Sequence, residues 1–329
     1  MVQTAAIFGP EGSALSDWER GFFRETAPVG HILFARNIEN PDQLRRLTDD
    51  LRTVSGDDTL ILIDQEGGRV ARMQPPHWRS YLPALDQMEK AADPMRAQWV
   101  RNRLIAAELH DVGINANCAP LADIARGETH AVLRNRLYGN DVETVVGAAR
   151  TCADAHLAGG VLPVLKHIPG HGRATVDSHL GLPTVTTPRD VLERADFAAF
   201  RALNDLPLGM SAHLVFADID PSGPATTSPT MIDLIRNDIG FNGLLMTDDL
   251  SMEALDGTPD VRAAAAIAAG CDVILHCNGH ADEMALVAGA AGTLSQAAMA
   301  RLMRARTWLK SPENIDIPRL EAELEALLG

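Results

Sequence analysis

Val161-Leu162-Pro163-Val164-Leu165-Lys166-His167-Ile168-Pro169-Gly170-His171-Gly172 is an apolar run that ends abruptly in a cation, two histidines and glycines. Its first half lacks the polar alternation of a strand with one wet face, so it reads as a strand buried on both sides, as in a parallel sheet. Its second half places reactive side chains where that strand stops. Pro169-Gly170 interrupts any helix that would align His167 with His171, which excludes a helical zinc site.

The same pattern recurs along the chain. Buried-type runs over Ala5–Phe8, His31–Phe34, Leu60–Asp64, Ile114–Cys118, Val161–Lys166, Leu208–Ala212, Gly243–Thr247 and Cys271–Leu275 alternate with amphipathic stretches. Among the latter are Asp42–Thr53, Met95–Val112, Val142–Ala158, Asp190–Ala202, Met231–Ile239 and Glu283–Leu309, the last long enough for more than one helix. Asn40-Pro41, Thr187-Pro188 and Ser228-Pro229 each set a capping side chain before a proline whose missing N–H costs nothing, and so predict helix starts. Repeated βα units without a GxGxxG after the first strand predict an α/β fold, a (β/α)8 TIM-type barrel, as a single domain over residues 1–329.

The bulk composition narrows the partners. A formal net charge of −15, with no basic run to offset it, opposes binding to nucleic acid or to an anionic membrane surface. Cys118, Cys152, Cys271 and Cys277 show no CxxC spacing and read as reduced core thiols. The N-terminal MVQTAAIFGPEGSAL has no basic region before its apolar stretch, and no segment reaches the roughly 18 apolar residues of a membrane span. The expectation is a cytoplasmic monomer without a membrane anchor.

In a barrel of this kind the chemistry gathers at the C-terminal strand ends. Strand three runs into Asp64-Gln65-Glu66-Gly67-Gly68-Arg69, strand six into Ser211-Ala212-His213 and strand seven into Thr247-Asp248-Asp249. Asp64 and Glu66 are two apart and, with Arg72 near, suit recognition of hydroxyl groups. In Asp177-Ser178-His179 a carboxylate can hold one imidazole nitrogen and leave the other to exchange protons near neutral pH. Asp248 and Asp249 are adjacent, so only one is expected to aim into the barrel mouth. The residues alone leave open which. A metal held by His167, His171, Asp177 and His179 is the competing reading, against which stand the lack of an HExxH motif and of a nearby cysteine. No metal and no cofactor is expected.

At this point the sequence resembles glycoside hydrolase family three, in its bacterial single-domain β-N-acetylhexosaminidase branch. The resemblance runs through GHILFARNI, ILIDQEGGRVARM, INANCAPLADI, RNRLYGND, LKHIPGHGRATVDSHLGLP, MSAHLVFADID and GLLMTDDLSMEAL. It implies Asp248 as nucleophile, His179 as acid/base oriented by Asp177, and sugar contacts from Asp64, Arg72, Arg136, Lys166 and His167. It further implies a retaining, metal-free hydrolysis of terminal N-acetylglucosamine from muropeptides during cell-wall recycling. Thr247 stands where the family commonly has serine, and Leu137-Tyr138 replaces the more usual Ser-Phe; neither change removes a proposed catalytic group. The segment from Gly170 to Gly181, bracketed by glycine, is expected to move over the substrate. Phosphate in place of water as the acceptor is a further alternative.

Overall fold

The computed structural model describes residues 3–175, 181–252 and 254–329. Eight parallel strands close into one barrel: β1 (Thr4–Phe8), β2 (Pro28–Leu33), β3 (Leu60–Ile63), β4 (Ala116–Asn117), β5 (Leu162–Ile168), β6 (Leu208–Ser211), β7 (Leu244–Asp249) and β8 (Val273–His276). Each pairs with its neighbours in chain order, and β8 returns to β1. Every strand expected from the sequence is present.

The strands are apolar on both sides because two cores share them. Ile61, Ile63, Leu165 and Ile274 belong to one buried cluster with residues of the surrounding helices, among them Leu44, Leu47 and Leu51 of the helix Pro41–Ser55, whereas Leu60, Leu62, Val164, Leu208, Leu244, Met246, Val273 and Leu275 belong to another. Successive strand side chains point opposite ways, so the first set lies between sheet and helices and the second fills the barrel. The helix Gln296–Arg306 adds Ala298, Leu302 and Ala305 to the inner core. Its Arg301, Arg304 and Arg306 bond to Asp272, Asn242 and Asp58, each just before a strand, so this helix plugs the N-terminal end of the barrel. The other end stays open for chemistry.

β4 is shorter than the Ile114–Cys118 run predicted. Beyond Cys118, whose N–H still reaches Ile63 O of β3 at 2.8 Å, the chain stays beside β5, where the carbonyls of Ala119 and Pro120 accept from Val164 N and Lys166 N at 2.9 and 3.1 Å, and Ala122 N donates to Lys166 O at 2.9 Å. Pro120 has no N–H to contribute to regular pairing. This irregular edge carries Asp123 level with His167.

Two of the three expected helix starts form as read: Asn40 accepts from Gln43 N and Ser228 from Met231 N, both at 3.0 Å. Thr187 does not cap. The helix there begins at Arg189, one residue later, and the Arg189 N–H is taken by Asp218 Oδ2 at 2.8 Å. The single helix expected over Asp190–Ala202 is broken at Ala195, whose φ −121° and ψ −81° lie outside the helical region, into Arg189–Arg194 and Asp196–Arg201. Glu283–Leu309 divides into Ala281–Ala291 and Gln296–Arg306, with Gly292 at φ +63° between them. All four cysteines are buried and free. Among the described residues no helix is long and apolar enough to cross a membrane.

Candidate active site

In three strands the inward set, continued by steps of two, ends in a charged residue. Leu60 and Leu62 lead to Asp64, Val164 to Lys166, and Leu244 and Met246 to Asp248. These three side chains border one cavity of about 230 Å³ at the C-terminal mouth, floored by Ile32, Met210 and Leu275 of the inner core, with Arg72, Arg136 and His167 around it. It is smaller than the roughly 300–1,000 Å³ of pockets for drug-sized ligands, which suits one small ring.

Ion pairs fix the polar wall. Lys166 Nζ lies 2.9 Å from Asp64 Oδ1 and 2.6 Å from Glu66 Oε1, while Arg136 grips both Glu66 oxygens at 2.8 and 2.9 Å. Arg72 Nη2 reaches Asp64 Oδ2 at 3.1 Å. Burial alone would raise both carboxyl groups, yet Lys166 and Arg72 hold Asp64 far below the usual carboxylate range, and Arg136 and Lys166 hold Glu66 at about 2. Burial likewise opposes the Lys166 charge, and Asp64 with Glu66 more than restores it, raising its pKa. Asp64, Glu66, Lys166 and Arg136 therefore stay ionised at neutral pH.

Behind that wall the turn is set by a close approach. Gly67, at φ +90°, is in the left-handed region that favours glycine, and an added Cβ would fall 2.0 Å from Arg101 Nη2. Arg101, fully buried, donates to the Glu66 carbonyl and so packs where that side chain would be.

Asp248 and Asp249 both border the cavity, against the expectation that only one would. The cause is a register shift between Met246 and Asp249 in the pairing of β7 with β8, which breaks strict alternation. Their surroundings differ. The Asp249 carboxylate takes Ser251 N at 3.0 Å, Ser251 Oγ at 2.5 Å and Cys277 N at 3.2 Å, so it is committed to the strand end. Among the described residues Asp248 accepts one hydrogen bond, from Asp249 N to Oδ1 at 2.8 Å. Burial would raise its pKa, but His213, His167 and Lys166 bring it below the ordinary value, so it remains a carboxylate.

Asp123 is the functional residue that the sequence reading missed. Fully buried, it accepts His167 Nδ1–H at 2.7 Å and His171 N at 2.5 Å. The signal available was an acid after the fourth strand, within INANCAPLADI, in the position where strands three and seven also carry acids. Of the site residues expected, Asp64, Arg72, Arg136, Lys166, His167 and Asp248 come together at the cavity; Asp177 and His179 lie outside the described residues.

Residues 24–310 match the family described as the glycosyl hydrolase family 3 N-terminal domain. The chain belongs to glycoside hydrolase family 3. Among the relatives of this family 3 chain, a beta-hexosaminidase of Alkalilimnicola ehrlichii is 38% identical over 286 residues, covering 84% of this chain and 82% of that protein. One from Pseudomonas aeruginosa is 34% identical over 333 residues, covering 99% and 97%. NagZ from Neisseria gonorrhoeae, solved in complex with N-trifluoroacetyl-D-glucosamine, has a TM-score of 0.88 at 27% identity, covering 100% of this chain and 99% of that one.

Proposed function

We propose that this family 3 chain is a β-N-acetylhexosaminidase that removes terminal, non-reducing β-linked N-acetylglucosamine from peptidoglycan-derived muropeptides. The observation that carries the reading is the ionised Asp248 carboxylate at the end of β7, facing the same small cavity as Asp64, Arg72, Lys166 and His167. A carboxylate in that position can attack an anomeric carbon, while the charged wall supplies donors and acceptors for ring hydroxyls. Relatives named beta-hexosaminidase at 34–38% identity support the activity, and the N-trifluoroacetyl-D-glucosamine bound by the gonococcal neighbour supports the sugar.

The reaction is retaining and proceeds in two steps. Asp248 bonds to the anomeric carbon as protonated His179, held by Asp177, gives its proton to the departing oxygen. Neutral His179 then takes a proton from water, which displaces Asp248 and regenerates both groups. Neither step calls on a metal. The enzyme works as a monomeric single domain in the cytoplasm during cell-wall recycling, a setting that suits four buried, unpaired cysteines.

Hydrolysis of an aryl β-N-acetylglucosaminide by wild type, Asp248→Ala and His179→Ala, with azide added, tests this. Wild type turns over; azide rescues Asp248→Ala as the α-glycosyl azide and His179→Ala as the β-glycosyl azide. An inactive wild type, or an Asp248→Ala variant with full activity, overturns the proposal.

A further inference from the structure

His213 lies just past β6, whose last residue is Ser211. It is fully buried and does not border the cavity. Its Nε2 is 3.1 Å from the Asp249 carbonyl and its Nδ1 is 2.8 Å from Thr226 Oγ1, itself fully buried. Thr226 Oγ1 also lies 2.8 Å from Ser211 Oγ, with the Ala212 carbonyl at 3.1 Å.

Donor and acceptor roles follow from the chemistry of the partners. A carbonyl can only accept, so Nε2 carries the proton that Asp249 O receives. Burial pushes the His213 pKa down, which leaves the ring with that one proton at neutral pH. Nδ1 can therefore only accept, so the one Thr226 hydroxyl proton is shared between Nδ1, the nearer acceptor, and the Ala212 carbonyl, and the Ser211 hydroxyl donates to Thr226. The chain of bonds has a direction, from Ser211 through Thr226 and His213 to the backbone of Asp249.

That backbone also sets the Asp248 side chain. Asp249 N donates to Asp248 Oδ1 at 2.8 Å, and the Asp249 carboxylate is tied to Ser251 and Cys277 N. Asp249 is thus held by its amide, its carbonyl and its side chain, and among the described residues the carbonyl tether is the one that comes from the segment just past β6.

The geometry points to His213 as a positioning residue for the nucleophile: its Nε2–H on the Asp249 carbonyl, backed by Thr226, holds the end of β7 so that Asp248 stays aimed into the cavity. This rests on the reading of Asp248 as nucleophile. His213 touches no substrate atom in this role. Its effect falls on the bond-forming step, where a misplacement of about 1 Å costs on the order of 100-fold, and spares the sugar contacts made by Asp64, Arg72 and Lys166.

The test uses the full chain and an aryl β-N-acetylglucosaminide. His213→Ala lowers kcat on the order of 100-fold with KM little changed, and His213→Gln, whose amide N–H can take the place of Nε2–H, recovers most of it. Thr226→Val gives the same split to a smaller degree and replaces His213→Ala should that variant fail to fold. Wild-type kcat in folded His213→Ala, or His213→Gln as slow as His213→Ala, overturns the proposal. Hydrogen exchange of the Asp249 amide separates this from failure of the substrate reading. That N–H, donated to Asp248 Oδ1, exchanges faster in His213→Ala than in wild type or His213→Gln, whether or not the glycoside is turned over. No difference among the three overturns the tether.

Discussion

The Asp123 carboxylate lies 2.7 Å from His167 Nδ1, and its other oxygen takes the His171 backbone N–H at 2.5 Å. One fully buried acid thus fixes an imidazole that borders the cavity and the loop that follows it. Burial would raise the acid's pKa, but His167 lowers it, so it stays an acceptor for both donors. Asp123→Asn keeps the shape but replaces one acceptor oxygen with an NH2 group, so either His171 N loses its partner or His167 must move its proton to Nε2. The expected outcome is a fall in kcat/KM on the order of 10- to 100-fold, the scale seen when groups that orient a ligating histidine are lost. Unchanged kcat/KM on the aryl glycoside would remove Asp123 from the site.

Glu66 shares Lys166 with Asp64 and holds Arg136 by both oxygens. Glu66→Gln leaves the Arg136 fork and the Lys166 ammonium short of one negative charge in a buried setting. Removing one partner of a buried pair costs about 3–5 kcal/mol, because the stranded charge has lost its hydration without compensation. The urea midpoint of Glu66→Gln should drop accordingly. Arg136→Met should cost less in that background than in wild type, which a double-mutant cycle reads directly. Strict additivity of the two would mean that the pair is not coupled.

Acid should destabilise the fold from the histidine range downward. Burial lowers His31 to about 3, and His156 and His171 to about 4, each from an ordinary 6.5. As pH falls through 6.5 the unfolded chain takes up these protons while the folded one does not, so stability declines, and the decline continues until the folded pKa values are reached. Glu66 acts in the same direction lower down: its stabilisation is complete above 4.5 and is lost as pH falls toward about 2. Urea midpoints at pH 7, 6, 5 and 4 should therefore decrease stepwise. His31, whose ring meets Phe23 at 4.5 Å and Ser55 Oγ at 2.9 Å, does not border the cavity, and His31→Gln should flatten the profile between pH 6.5 and 4. A wild-type profile level over that range would contradict the burial of these rings.

The barrel was legible because its strands are apolar on both faces, and the strand ends were legible because charge there has no structural excuse in a packed interior. The step from Met246 to Asp248 could have singled out the inward acid, since the inner and outer cores alternate residue by residue. The sequence does not print which alternate set faces inward, and the shift that brings Asp249 to the rim as well is a property of the β7–β8 pairing. Asp123 was hidden for a related reason: it sits six residues beyond Asn117, the last residue of β4, on an irregular edge past Pro120 that no periodicity describes. Thr187-Pro188 failed as a helix start because a tertiary partner, Asp218, supplied the acceptor that the local motif was expected to provide.

Gly172 tests whether that irregular edge and the strand-five loop must touch. A Cβ there would lie 2.0 Å from the Ile124 carbonyl oxygen, and its own carbonyl accepts Thr129 Oγ1 at 2.5 Å. Ile124 follows Asp123, Gly172 follows His171, and those two neighbours are bonded to each other. An added methyl group must therefore push apart the two segments that the Asp123 carboxylate holds together, and backbone cannot yield as a side chain tip can. Gly172→Ala is expected to lower stability by about 1–3 kcal/mol, the usual range for overpacking, and to reduce kcat/KM with it. Gly21→Ala is the control of opposite sign: it lies exposed within the helix Asp17–Thr26 with nothing within 4 Å of an added Cβ, so alanine should stabilise by about 0.5–1 kcal/mol and leave activity untouched. If Gly172→Ala matched wild type in urea midpoint and in kcat/KM, the close approach of Gly172 to Ile124 would not be what keeps Asp123 under His167.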